Sequence, residues 1–128
     1  MRTVNRTIFV GVPAIIFMIV FLGNAAYSED YSKVPEKGKI TLIDLGAGSC
    51  IPCKMMAPVL DKMKKRFEGK AAVIVIDLRF DRDQAQRFQI RSIPTQVFFD
   101  RDGKEVYRHV GFMDENAIVA QLAKMGVK

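Results

Sequence analysis

Apolar residues are distributed along this chain in two contrasting ways. Ile8 to Leu22 is almost continuously apolar, and no charged residue occurs between Thr7 and Ser28. From residue 40 onward, short apolar runs alternate with amphipathic stretches. Ile40–Leu45 is an apolar run closed by Gly46 and Gly48, the pattern of a buried strand. Pro52–Phe67 predicts a helix, because Met55, Met56, Val59, Leu60, Met63 and Phe67 recur at spacings of three and four. Lys62, Lys64, Lys65 and Arg66 sit towards its C-terminus, where the helix dipole favours cations, and Gly69 stops it. Ala71–Leu78 is a second continuous apolar run, the pattern of a parallel strand covered on both faces.

Asp81 with Gln84 predicts a capping-box-like start to a short helix ending near Phe88. Thr95–Phe99 and Glu105–Val110 flank Asp100-Arg101-Asp102-Gly103-Lys104, whose Asp-Gly step predicts a hairpin. Asp114 caps a last helix carrying Ile118, Val119 and Leu122. The order strand–helix–strand–helix–strand–strand–helix implies an α/β sandwich, a mixed sheet with helices on it. Residues 27–39 are polar and hold Pro35 and Gly38, so they read as a linker or irregular lead-in to a domain spanning residues 40–128.

The first apolar segment is an address rather than part of the core. Arg2 and Arg6 precede it, and Gly23-Asn24-Ala25-Ala26 supplies small residues suited to cleavage. Residues 1–26 are therefore expected to be a signal peptide or an N-terminal membrane anchor. Cleavage is favoured, because the apolar run falls short of the roughly 20 residues that span a bilayer. On either reading the charge asymmetry sends the domain out of the cytoplasm, to a periplasmic or other extracytoplasmic location. Disulfides persist there. No Cys follows the apolar run, which excludes a lipid-anchored lipoprotein.

Composition adds little except exclusions. The 128 residues are 49% hydrophobic and 27% charged, which excludes a disordered tail or a fibre and leaves room for one domain. Net charge is +6, and Arg2 and Arg6 contribute two of those charges. The remaining basic residues are interleaved with acids and Trp is absent, so no nucleic-acid partner is expected.

Both cysteines lie in one motif, Cys50-Ile51-Pro52-Cys53, between a predicted strand and the start of a helix. A helix N-terminus offers unpaired N–H groups and a positive dipole end that stabilise a thiolate, the reactive form of cysteine. The spacing brings the second sulfur within reach of the first, so a mixed disulfide can be resolved internally. Pro52 suits a first helical turn, where its missing N–H is not needed. A purely structural disulfide closing so small a loop would constrain the unfolded chain little. A closed zinc site wants four ligands, and only His109 remains among the usual nitrogen and sulfur donors. Redox chemistry is the reading that accounts for the pair.

At this point the sequence resembles the thioredoxin family. Leu42-Ile43-Asp44-Leu45-Gly46-Ala47-Gly48-Ser49-Cys50-Ile51-Pro52-Cys53-Lys54-Met55-Met56-Ala57-Pro58 is similar to the family's active-site segment. Ile90-Arg91-Ser92-Ile93-Pro94-Thr95 resembles its cis-proline loop, and Val110-Gly111-Phe112 the glycine at the end of its last strand. The resemblance implies a thioredoxin-like fold and thiol–disulfide exchange on protein clients. It makes Cys50 the nucleophile and Cys53 the resolving thiol, with the redox disulfide itself in place of any cofactor. Ile93, Pro94, Gly111, Ile51 and Pro52 are then the expected client-binding positions, with Pro94 cis. Residues 27–39 leave no room for the family's first strand and helix, which implies a trimmed sheet of about four strands.

Two further departures from the family pattern stand out. Gly46 and Ser49 occupy positions where thioredoxins usually carry Trp, and Val75 replaces the lysine that commonly neighbours the family's buried acid. The motif also contains no His, which in oxidases and isomerases of the family more often precedes the second cysteine. Without it the thiolate is less stabilised, and a disulfide reductase is the expected direction, with a membrane thiol electron-transfer protein as its reductant and a monomer as its state. A dithiol oxidase or isomerase is the alternative. A copper-binding module using Cys50, Cys53 and Met55 or His109 is a different class, since thiolates suit Cu(I). Asp44 interrupts an apolar strand six residues before Cys50. Burying an unpaired charge is costly, and the resemblance makes Asp44 the acid beneath the disulfide that takes the proton from Cys53.

Overall fold

The computed structural model describes residues 30–128, so the expected signal peptide or anchor over residues 1–26 lies outside the described residues. Its elements are a 3₁₀ turn (Tyr31–Lys33), β1 (Ile40–Gly46), α1 (Ile51–Arg66), β2 (Ala71–Asp77), α2 (Asp83–Arg87), β3 (Thr95–Phe99), β4 (Glu105–Val110) and α3 (Glu115–Lys124). The sheet has four strands in the order β2-β1-β3-β4, with β1 and β2 parallel and the other neighbours antiparallel. The mixed four-stranded sheet and the element order match the sequence reading.

β1 is the inner strand on which the site rests, and every one of its residues is buried. Alternation divides its side chains between two cores. Ile40 and Leu42 join Met56, Leu60 and Met63 of α1, Phe98 of β3, and Ile118 and Leu122 of α3. Ile43 and Leu45 face the other way, towards Ile76, Phe88, Val97, Phe99 and Val34. Each face is thus covered by helix or lead-in, which is why a polar residue in β1 has little access to water.

Four local readings are corrected. β2 pairs in parallel with β1 but forms the sheet's edge, and Val73, Ile74 and Val75 are only half-buried. An unbroken apolar run does not distinguish an inner strand from an edge strand lying beside a helix. Met55 is 53% exposed rather than part of the packed helix face, because it joins Ile51 one turn earlier on the rim of α1. α2 begins at Asp83 with no side-chain cap, since the Asp81 carboxylate accepts from the Gln84 side-chain amide at 2.9 Å instead of from a backbone N–H.

The remaining correction concerns the lead-in. Over residues 30–39 it is irregular, but it is tied to the domain rather than a free linker. Asp30 caps the 3₁₀ turn, Val34 is buried in the second core, and Tyr31 packs against that core. Arg87 donates to the carbonyl oxygens of Tyr31 (2.7 Å) and Val34 (2.5 Å). Irregular backbone can be held by side chains from elsewhere, which composition alone does not reveal.

Candidate active site

Cys50 is the N-cap residue of α1, in extended conformation, and its Sγ accepts from the backbone N–H of Cys53 at 3.2 Å. The two cysteines are joined as a disulfide, with Cα atoms 5.2 Å apart. The free N–H groups and dipole of a 16-residue helix therefore converge on Cys50. Across the cleft the Ile93–Pro94 peptide is cis, and the Ile93 carbonyl oxygen lies 4.0 Å from Cys50 Sγ. The Pro94 carbonyl accepts from Gly111 N–H at 2.8 Å, which holds the end of β4 against this loop. Gly111 has φ +101°, a conformation that side chains disfavour. Ile51 within the motif, and Val110 and Phe112 on either side of Gly111, are exposed.

Beneath the disulfide lies a cleft of about 190 Å³ lined by Asp44, Gly46, Cys53, Ala57, Val75 and Asp77, among others. Gly46 is where the space comes from. A Cβ on Gly46 would stand 3.1 Å from Cys53 Sγ and 3.8 Å from Asp44 Oδ2. Asp44 is 3% exposed, and its Oδ1 accepts from Gln96 Nε2 at 2.7 Å. Burial pushes its carboxyl up to about 6, while the Gln96 hydrogen bond pulls the other way. Val75 pairs directly with Asp44 across β2 and offers no charge to counter that burial.

The loop before Cys50 is pinned from the side. Asp77 accepts from Arg79 through Nε and Nη2, and from the Gly48 backbone, which holds its carboxyl below the usual carboxylate range. The Arg79 guanidinium lies so close over Gly48 that a Cβ there would collide with it.

Comparison with known proteins gives one answer. The thioredoxin family model, described as "Thioredoxin", matches residues 19–124.

The chain belongs to the thioredoxin family.

It is 36% identical to thioredoxin of Staphylococcus aureus over 95 residues, which cover 74% of this chain and 89% of that one. Among solved structures it is similar to Deadhead, a germline-specific thioredoxin of Drosophila melanogaster, at 30% identity and TM-score 0.61. That superposition covers 69% of this chain and 82% of the fly protein. The exposed lipoprotein thioredoxin of Streptococcus pneumoniae shares the fold, with 24% identity, TM-score 0.61 and coverage of 69% and 86% respectively. Thioredoxins are thiol–disulfide oxidoreductases acting on protein disulfides, and the Cys50–Cys53 pair supplies that chemistry here without a further cofactor.

As a thioredoxin, the chain brings Cys50, Cys53, Ile51, Pro52, Ile93, Pro94 and Gly111 to one edge, with Asp44 below. Met55 and His109 stand apart from any such cluster. Met55 faces outward, and His109 Nε2 is 3.1 Å from the Phe112 carbonyl oxygen. Among the described residues no group of three or more His, Cys, Asp or Glu side chains could hold a metal ion. Two participants were missed from the sequence. Gln96 was legible only as one polar residue in the run Thr95–Phe99, and the Asp77–Arg79 clamp had no signal beyond its proximity to a strand end.

Proposed function

We propose that this thioredoxin reduces disulfides of extracytoplasmic protein clients. The observation that carries the reading is Cys50 at the start of α1 with its sulfur beside the Ile93 carbonyl, at the edge where an extended client chain can lie. The Cys50 thiolate attacks one sulfur of a client disulfide. A Cys50–client S–S bond forms, and the client's other sulfur leaves as a thiolate that takes up a proton. Cys53 then loses its proton to Asp44 through the cleft they share and attacks Cys50 Sγ. The Cys50–Cys53 bond forms, the second client thiolate leaves, and two electrons have passed to the client. Asp44 returns its proton to water or to the departing thiolate.

The direction of electron flow rests on the motif, which has no His to stabilise the Cys50 thiolate. The extracytoplasmic setting rests on Arg2, Arg6 and the apolar run after them, and it requires a membrane thiol electron-transfer protein to reduce Cys50–Cys53 again. Equilibration of the pair against glutathione tests the direction. A pair harder to reduce than glutathione disulfide supports the reductase, and a readily reduced pair overturns it in favour of an oxidase. A reporter enzyme that is active only outside the cytoplasm, fused after Lys128, tests the setting.

A further inference from the structure

The buried acid does not act alone on its strand. Cross-strand register places Asp44 of β1 opposite Gln96 of β3, and Gln96 opposite His109 of β4. Gln96 is fully buried, and its amide splits between two situations. Nε2 donates to Asp44 Oδ1 at 2.7 Å, while Oε1 has no hydrogen-bond partner. A buried carbonyl oxygen without a partner costs stability, and the side-chain hydrogen bond to Asp44 Oδ1 is what offsets that cost. Packing therefore gives no reason for an amide here. The geometry around Asp44 does give one. With Oδ1 held towards β3, the other oxygen, Oδ2, is on the side of the cleft that Cys53 Sγ borders.

We infer that Gln96 is the positioning residue of the resolving step: its amide orients the Asp44 carboxyl towards Cys53 and partners it through proton uptake and release. The inference rests on the proposed role of Asp44 as the base for Cys53. Nε2 serves the ionised carboxylate as donor. Turned over, the same amide presents Oε1 to accept from the protonated carboxyl, so one side chain meets both states. The other groups facing Asp44 do not substitute for it. Val75 on β2 is apolar and Asp77 at the end of β2 is engaged by Arg79; Lys54 of α1 is the cation that lines the same cleft, and unlike Gln96 it makes no hydrogen bond to Asp44 among the described residues. His109 lies beyond Gln96, with its Nε2 against the Phe112 carbonyl.

The test is a titration of the Asp44 side-chain carboxyl by carbon NMR in the oxidised full chain, read beside the pH profile of disulfide reduction. Wild type, Gln96→Met, Gln96→Leu and Asp44→Asn are compared. Methionine keeps the length of the side chain and removes both polar atoms, and leucine provides a second fold-compatible variant. The bond to the ionised carboxylate is the stronger of the two that Gln96 offers, so its loss should move the Asp44 midpoint to higher pH by up to about a tenfold change in proton concentration. The inflection of the rate profile should move with it. Asp44→Asn should lack the inflection. An Asp44 midpoint that stays in place in both Gln96 variants overturns the inference and leaves the role of Asp44 standing. A midpoint that moves while the rate profile does not also overturns it. An inflection that survives in Asp44→Asn overturns the role of Asp44 itself, and the inference with it.

Discussion

Replacing Asp44 by asparagine should make this protein more stable at neutral pH and slower in exchange. The fold raises the Asp44 carboxyl from 3.8 to about 6, chiefly by burial. The native state thus binds this proton more tightly than the unfolded chain does. Stability is therefore highest below the unfolded value, falls as pH rises between the two, and stays reduced above the folded value. At 1.36 kcal/mol per pH unit, that interval is worth about 3 kcal/mol. The group is almost wholly buried, so solvent screening removes little of it. Asparagine keeps an oxygen to accept from Gln96 and turns its amide towards the cleft, so the gain at pH 7 should be about 2 to 3 kcal/mol. A small domain has only about 5 to 15 kcal/mol in total, which makes the effect easy to detect. The assay is urea denaturation of the oxidised chain at a series of pH values from 4 to 8, with turnover of a protein disulfide in parallel. Wild type should lose stability between about pH 4 and 6 and then level off, while Asp44→Asn stays nearly flat, the two curves meeting near pH 4. A variant that is less stable at pH 7, or that exchanges as fast as wild type, refutes the reasoning.

Two further outcomes are expected. Cys53→Ser should accumulate clients as mixed disulfides through Cys50, visible as reducible adducts on non-reducing gels, whereas Cys50→Ser should accumulate none; equal trapping would reverse the assignment of nucleophile and resolver. Gly46→Ala places a Cβ 3.1 Å from Cys53 Sγ and should narrow the cleft between Cys53 and Asp44. It should cost about 1 kcal/mol by overpacking and slow the resolution of the mixed disulfide by Cys53, measured by rapid quench; unchanged resolution would show that protons do not travel by that cleft.

Much of the site was legible in the sequence because its signals are local. Cys50 and Cys53 carry their relation in their spacing, and Pro52 with the cations near Arg66 marks the direction of α1 without reference to anything distant. Asp100 and Gly103 mark the hairpin in the same way, Gly103 taking φ +79° and Asp100 Oδ1 accepting from Asp102 and Lys104. Asp44 was conspicuous because a carboxylate in an apolar strand must answer for its charge.

What sequence left open depends on which elements lie side by side. β1 and β2 are both apolar runs, but only strand order makes β1 an inner strand, with every residue buried, and β2 an edge strand. Met55 has the spacing of a core residue and lies outside the core, because it sits with Ile51 on the exposed side of a helix whose adjacent residue Met56 takes the core position. Residues 30–39 look like a linker until Arg87, more than fifty residues away in the chain, caps their carbonyls. Gln96 is the sharpest case. On its own strand it is a polar residue between Thr95 and an apolar run; antiparallel pairing with β1 puts its amide on Asp44. Local sequence determined the reactive pair, the helix that activates it and the presence of a buried acid. Tertiary structure decided what surrounds that acid, because its desolvation and its hydrogen bond come from strands that meet only when the sheet forms.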